Sequence, residues 1–145
     1  MQEEINWKEV AGQLRHPQGQ PGIETGKRME QTNANMIQRT IDLLAISENE
    51  KVLEIGFGNG SHVSYLLAKA FSVHYTGIDI SETMLQEALA ANTAAVSQRK
   101  AFFILSNGNT IPFADNTFNK IFTVNTIYFW KSLQEYTSEI CRVLK

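Results

Sequence analysis

The fold is decided by the stretch Lys51-Val52-Leu53-Glu54-Ile55-Gly56-Phe57-Gly58-Asn59-Gly60. In it, an apolar run interrupted by one acid ends in three glycines at alternate positions, and a helical pattern follows at once. A strand, a glycine turn and a helix in this order hold an adenosine-type cofactor against the carboxyl end of a parallel strand. The stretch therefore predicts a cofactor site around which the other elements are arranged.

Composition limits the class of protein before any other motif is considered. The 145 residues suit one domain, 43% of them are hydrophobic, and the formal net charge of -2 argues against a nucleic-acid or membrane-surface protein. Cys141 is the only cysteine, so we expect neither an internal disulfide nor a thiolate metal cluster. The polar, acidic first residues and the lack of an apolar run of about 20 residues predict a cytoplasmic protein without a membrane span.

Strand and helix patterns alternate along the chain, which predicts an α/β fold with a parallel sheet covered on both faces. Residues 1–28 are polar and rich in glycine and proline, and they predict a short helix at 6–14 followed by an irregular arm, or a lid over a site. Strands are expected at 52–55, 74–78, 101–105 and 120–124. Helices are expected at 29–46, from Gly60 onward, from Ser81 to about 96, and at 132–145. Phe71 is expected on the apolar face of the helix that begins at Gly60.

Two cofactor classes compete for the glycine turn. A dinucleotide fingerprint spaces its glycines as G-x-G-x-x-G, but Ser61 stands at the last of these positions. Glu54 lies two residues before the first glycine, where a carboxylate would repel a pyrophosphate. A carboxylate suits a cofactor with positive groups, such as the amino group of a methionine moiety beside a sulfonium. The sulfonium cofactor is therefore favoured over a nicotinamide dinucleotide.

Asp79 ends the second predicted strand, about 20 residues after the glycine turn. An acid at that place can accept hydrogen bonds from both hydroxyls of a ribose. The structural alternative is a helix-entry residue beside Ser81, which has the character of an N-cap. Because Glu54 and the glycines stand upstream at matching positions, the ribose role is favoured.

Four motifs in order resemble those of class I S-adenosylmethionine-dependent methyltransferases, in the small-molecule branch that includes ubiquinone and menaquinone biosynthesis enzymes. The motifs are Val52 to Gly60, Tyr75-Thr76-Gly77-Ile78-Asp79-Ile80-Ser81 with Met84, Ile111-Pro112-Phe113-Ala114-Asp115-Asn116-Thr117-Phe118, and Arg142-Val143-Leu144-Lys145. The resemblance covers about residues 30–145. It implies a partial, Rossmann-like, doubly wound sheet of about four strands in the order 3-2-1-4. The leader from Leu14 through Met29 and Asn33 is similar to the N-terminal cap of some bacterial members.

The resemblance also implies roles for individual residues. Glu54 would hold the methionine amino end, Asp79 the ribose hydroxyls, and Asn125 would face the methionine end. Asn107 replaces the family's usual aspartate beside the adenine, and its amide oxygen is expected to accept a hydrogen bond from the adenine amino group. The implied cofactor-binding residues are Glu54, Gly56, Phe57, Gly58, Gly60, Asp79, Ile80, Met84, Asn107, Gly108 and Asn125.

Aromatic residues follow the fourth strand, near the point of the sheet where ligands bind. Tyr128 or Trp130 is expected to form a wall of a substrate pocket, although core packing is the more ordinary role for such residues. His62 could approach the site, but a surface or packing role in the first turn of its helix is the more ordinary expectation. No metal site, nucleophile or general base is predicted.

The function expected from these motifs is methyl transfer from S-adenosylmethionine to a small-molecule acceptor. The alternatives are a non-catalytic methyltransferase-like binding module and, less favoured, a nicotinamide-dependent oxidoreductase. Because the family continues with further strands after its Arg-Val-Leu-Lys motif, a truncated domain with an uncovered fourth strand is expected. A second copy of the chain could cover that edge as a homodimer.

Overall fold

The computed structural model describes residues 5–145 and shows one parallel sheet with helices on both faces. The strand order is β3-β2-β1-β4, which confirms the α/β, Rossmann-like fold and the order expected from the sequence. The elements are α1 Trp7–Arg15, α2 Gly19–Leu43, β1 Lys51–Ile55, α3 Val63–Leu67, β2 His74–Asp79, α4 Glu82–Ala91, α5 Thr93–Ser97, β3 Ala101–Leu105, β4 Lys120–Thr123, a 3₁₀ turn Ile127–Phe129, and α6 Leu133–Val143.

Strand β1 lies at the centre of the sheet and separates two apolar layers. Side chains of a strand point alternately to opposite faces, and four of the five residues of β1 are buried. Val52 packs with Ile41 and Tyr75 on one face, whereas Leu53 packs with Ile78 on the other. Strands buried on both faces are typical of parallel sheets, whose crossover helices cover each side. The first apolar layer includes Ile41, Val52, Val63, Leu66, Val73, Tyr75, Ala101 and Phe122, and the second includes Leu53, Ile55, Ile78, Ile111, Phe118, Tyr136 and Val143.

The N-terminal region is more regular than its composition predicts. The short first helix is confirmed as α1, but the irregular arm expected up to residue 28 is wrong, because α2 already begins at Gly19. Pro21 lies in the first turn of α2, where a missing N–H costs no hydrogen bond within the helix. Gly26 is buried against Met84, whose Cε would lie 2.9 Å from a Cβ at that position. The glycine therefore marks a close contact between α2 and α4, and not a break.

Two other helices end earlier than their apolar patterns predict. Helix α3 ends at Leu67, and Phe71, expected on its buried face, is 80% exposed. The Phe71 carbonyl accepts a hydrogen bond from the Asn49 amide, which ties this segment to the turn before β1. The helix expected from Ser81 to about residue 96 is interrupted at Asn92, whose side chain donates to the carbonyls of Gly60 and Ala88.

The last helix ends at Val143 and does not reach residue 145. Leu144 adopts an extended conformation and forms a parallel bridge with Phe118. The start of this helix agrees with its capping-box spacing, since the Ser132 side chain accepts a hydrogen bond from the Glu135 amide.

We expect the substitution Gly60→Ala to lower the free energy of unfolding by about 1–3 kcal/mol. Gly60 has a φ of +69°, and a Cβ there would lie 2.9 Å from the Ala88 Cβ. Urea denaturation measures the change. The matched control is Gly12→Ala inside α1, where a Cβ meets no atom within 4 Å and the helix should gain about 0.5–1 kcal/mol. Equal effects of the two substitutions would contradict the packing described for Gly60.

Candidate functional site

A cleft of about 200 Å³ opens where the strands of the sheet end. The carboxyl ends of β1, β2, β3 and β4 lie at this edge of the parallel sheet, and ligands of such folds bind in the crevice outside them. The cleft brings together all the residues singled out from the sequence except Gly60 and Tyr128. They are Glu54, Gly56, Phe57, Gly58, Asp79, Ile80, Met84, Asn107, Gly108, Asn125 and Trp130.

Asp79 joins the glycine turn to the loop after β2. Its Oδ2 accepts a hydrogen bond from the Gly58 amide at 3.1 Å, and its Oδ1 accepts one from the Ser81 amide at 3.0 Å. Each carboxylate oxygen retains a further lone pair. A Cβ at Gly58 would meet no atom within 4 Å, so the turn leaves open space beside this carboxylate.

Burial raises the pKa of Asp79 to about 6, from an ordinary value of 3.8. The hydrogen bonds from the Ser81 and Gly58 amides act in the opposite direction, because they stabilise the carboxylate. The charge of Glu54 adds to the rise. Asp79 is therefore a cleft residue whose carboxyl changes its charge near pH 6.

Glu54 is a buried carboxylate, 1% exposed, that shares one oxygen between two partners. The Tyr75 hydroxyl donates to Glu54 Oε2 at 2.5 Å, and His62 Nε2 lies 2.7 Å from the same oxygen. Hydrogen bonds from these two partners offset the free-energy cost of burying a carboxylate. The sequence did not predict the contact with His62, which is eight residues away and was expected to be a surface or packing residue.

The loop after β3 holds Asn107 in a turn of its own. Asn107 Oδ1 accepts hydrogen bonds from the amides of Asn109 at 2.8 Å and Thr110 at 3.0 Å. The oxygen that the sequence assigned to a base of the cofactor therefore already serves the loop. Gly108 and Ile80 lie together in the same part of the cleft, where a Cβ at Gly108 would be 3.1 Å from Ile80 Cγ2.

The N-terminal helices form a wall of the cleft that local composition did not reveal. The Ser81 hydroxyl donates to the Pro17 carbonyl at 2.5 Å, which anchors the turn between α1 and α2 on the sheet domain. Farther along α2, Asn125 donates to Asn33 at 2.9 Å. The wall residues include Leu14, Arg15, Pro17, Gly26, Met29, Glu30, Asn33 and Ile37. A lid over a site is one of the two interpretations that the sequence of this segment allows, and an irregular arm is the other.

The aromatic residues after β4 divide between the cleft and the surface. Trp130 lines the cleft and its ring centroid lies 4.6 Å from that of Tyr136, whereas Tyr128 is 65% exposed and does not line the cleft. Phe129, which the sequence analysis left without a role, lines the cleft beside Trp130. Gly60 stands outside the cleft because it packs against Ala88.

Two kinds of feature are absent from residues 5–145. Within that range, no group of three or more His, Cys, Asp or Glu side chains is arranged to hold a metal ion. None of the helices described combines the length and apolar character that crossing a membrane requires.

A parallel sheet in the order 3-2-1-4 with a glycine turn after its central strand occurs in nucleotide-binding Rossmann-like folds generally, and the family match places the chain in the class of S-adenosylmethionine-dependent methyltransferase domains. The family model of the methyltransferase domain matches residues 53–145, and the chain belongs to this family. The class confirms S-adenosylmethionine as the cofactor that the sequence predicted.

Several methyltransferases resemble the chain. It is 32% identical to the uncharacterised methyltransferase YdaC of Bacillus subtilis over 83% of the chain, and 32% identical to YrhH of the same bacterium over 72%. The chain spans 64% and 57% of the lengths of these two relatives. A S-adenosylmethionine-dependent methyltransferase from Aquifex aeolicus has the same fold, with a TM-score of 0.68, 21% identity, and coverage of 83% of this chain and 67% of that one.

We expect the Asp79 carboxyl carbon to titrate with a midpoint near pH 6 in an NMR experiment on the folded protein. Because this pKa is higher than the ordinary value, the folded state binds the additional proton, and its stabilisation is complete below about pH 4. That stabilisation is lost as the pH rises through 6. A midpoint near 3.8 would contradict the burial described for Asp79.

Proposed function

We propose that this domain binds S-adenosylmethionine in the cleft and transfers its methyl group to a small-molecule acceptor. The observation that carries the proposal is the placement of two acids, Glu54 and Asp79, on either side of a glycine turn in one cleft. The cofactor's ammonium and ribose hydroxyls are hydrogen-bond donors, and carboxylates are the acceptors that suit them.

The residues present fit this cofactor. Among residues 5–145, no side chain or amide donates to Glu54 Oε1. Every fully buried side-chain oxygen in that range has a hydrogen-bond partner, so the unpartnered Oε1 must be accessible from the cleft. That oxygen would accept from the ammonium group. The remaining lone pairs of Asp79 would accept from the ribose hydroxyls. Ile80, which lies beside Gly108, and Met84 line the cleft with apolar surface where the adenine would lie.

When bound, the cofactor would supply a methyl group carried on a sulfonium sulfur. As the acceptor forms its bond to the methyl carbon, the carbon–sulfur bond breaks and the sulfur departs as a neutral thioether. The protein's contribution is therefore alignment and exclusion of water, since a displacement on carbon requires the acceptor, the methyl and the sulfur in line. Glu54 and Asp79 would hold the two ends of the cofactor, and α2, whose Asn33 is bonded to Asn125, would shield it from water. We assign no general base and no catalytic residue.

The acceptor side of the cleft supports a small molecule. It is bounded by α2 and by the segment after β4, and its walls carry both apolar side chains and amides: Met29, Asn33, Ile37, Asn125, Phe129 and Trp130. We propose Trp130, which lines the cleft, as the aromatic wall of the substrate pocket, and Tyr128 only as a contact at the rim. We further propose that, of the segment 1–28, the described part, which is α1 with the first turns of α2, acts as a cap of the cofactor-binding domain 29–145.

A homodimer over the free edge of β4 is a separate proposal. Among the described residues β4 pairs along its length only with β1, so its other edge has backbone groups available for pairing. Size-exclusion chromatography with light scattering tests it, and a dimer should show twice the chain mass of 16.3 kDa. A monomer at all concentrations would contradict the proposal.

Calorimetric titration tests the cofactor part of the proposal. S-adenosylhomocysteine is expected to bind, and NADH is not, because a carboxylate next to the glycine turn repels a pyrophosphate. The substitution Glu54→Gln should weaken S-adenosylhomocysteine binding about tenfold to a hundredfold, since a hydrogen bond to a charged group contributes about 1.5–3 kcal/mol.

Two controls make the titration specific. Glu48→Gln, an exposed acid before β1, should leave the affinity unchanged. Binding of 5′-methylthioadenosine, which lacks the amino-acid end, should be equal in the Glu54→Gln variant and the unmodified protein. An equal loss of affinity for both ligands would contradict the role proposed for Glu54.

Transfer itself is tested with S-adenosylmethionine labelled on the methyl group and a cellular metabolite extract. Label is expected in compounds of low mass. Label found only in macromolecules would contradict the small-molecule acceptor, and binding without transfer would favour the non-catalytic module.

A further inference from the structure

Three side chains from three different elements meet at Glu54. The carboxylate comes from β1, the Tyr75 hydroxyl from β2 and the His62 imidazole from the residue before α3. Both partners contact Oε2, so Oε1 alone is left for a ligand. Because His62 also lines the cleft, its ring lies beside the same carboxylate that the ligand would use.

The surroundings of His62 are mostly acidic. Glu54 faces it from β1, Glu30 faces it from α2, and the neutral Tyr75 hydroxyl shares its carboxylate partner. The Asn59 side chain donates to Glu30 at 2.7 Å, which holds that acid at the glycine turn. The other charged groups of the cleft are Asp79 at the end of β2, Arg15 at the end of α1 and Lys131 after β4.

Burial by itself lowers the pKa of His62, because desolvation disfavours the charged ring. The charge of Glu54, its hydrogen bond to the ring and the charge of Glu30 together outweigh burial and raise the pKa above the ordinary 6.5. A positive charge on His62 is therefore present in a pH range where proteins are commonly studied.

We propose that His62 is a positioning residue for the amino-acid end of the cofactor, and that its protonated ring competes with the cofactor's ammonium group for Glu54. This inference rests on the proposed function, in which Glu54 Oε1 accepts from the ammonium. The imidazole N–H holds Oε2, and so orients Oε1 toward the cleft. When the ring is charged, it also neutralises the carboxylate that the ammonium needs.

The consequence is a coupling between a proton and the cofactor. Two positive groups at one carboxylate repel each other, so binding of the ammonium lowers the pKa of His62 and releases protons. By the same linkage, affinity should fall as the pH falls. Affinity should therefore be lost progressively as the pH falls through the range in which the ring of the unliganded protein gains its proton.

Calorimetric titration with two ligands tests the coupling. S-adenosylhomocysteine has the ammonium group and 5′-methylthioadenosine lacks it, but both have the ribose that Asp79 would bind. Titration of Asp79 therefore affects both ligands, and the ratio of the two affinities isolates the amino-acid end. We expect this ratio to be several-fold lower at about pH 6 than at about pH 8 in the unmodified protein.

The variant His62→Gln keeps a side-chain N–H that can reach Glu54 but cannot gain a proton. In it, the affinity ratio should be the same at about pH 8 and at about pH 6. The control is His74→Gln, an exposed histidine at the amino end of β2, which should keep the full pH dependence.

A second measurement needs no variant. Titrations of the unmodified protein near pH 6.5, in buffers of different ionisation enthalpy, should show protons released by S-adenosylhomocysteine in excess of those released by 5′-methylthioadenosine. No excess release, or an unchanged pH profile in His62→Gln, would overturn the role of His62. Failure of both ligands to bind the unmodified protein at about pH 8 would instead overturn the proposed function.

Discussion

A buried carboxylate at the centre of the sheet constrains much of the surrounding structure. Glu54 lies on β1 with only 1% of its surface exposed, and a charge in such a place needs hydrogen-bond partners. Tyr75 on β2 supplies one of them. Gly77 pairs with Glu54 across the two strands, and a Cβ there would lie 2.7 Å from the Tyr75 hydroxyl. The absence of a side chain at this position thus leaves room for the Tyr75 hydroxyl to reach the carboxylate.

The same arrangement connects the fold to the site. Parallel pairing of β1 with β2 brings Glu54 and Asp79 to one edge, and the glycine turn lies between them with its Gly58 amide bonded to Asp79. Glu54 and Asp79 have different surroundings, because Glu54 is held by side chains and Asp79 mainly by backbone amides. One fold therefore presents to one cleft two carboxylates whose hydrogen-bond partners differ in kind.

Local patterns predicted the parts of the fold that depend on local physics. Strands β1 to β4 follow from apolar runs, and the turn follows from glycines whose spacing admits few other conformations. The start of α2 was missed because proline and glycine usually mark the ends of helices. In the structure, Pro21 lies in the first turn of α2 and Gly26 allows a close contact with Met84. Side-chain direction was equally out of reach: nothing in the sequence shows that His62 turns toward Glu54, or that the Asn107 oxygen is used by its own loop.

The anchoring of the α1–α2 turn on Ser81 has a practical consequence for anyone who produces this protein. Leu14 and Arg15 at the end of α1 already belong to the wall of the cleft. A fusion or a deletion that disturbs α1 would therefore also disturb that wall. Binding is best measured with this helix intact.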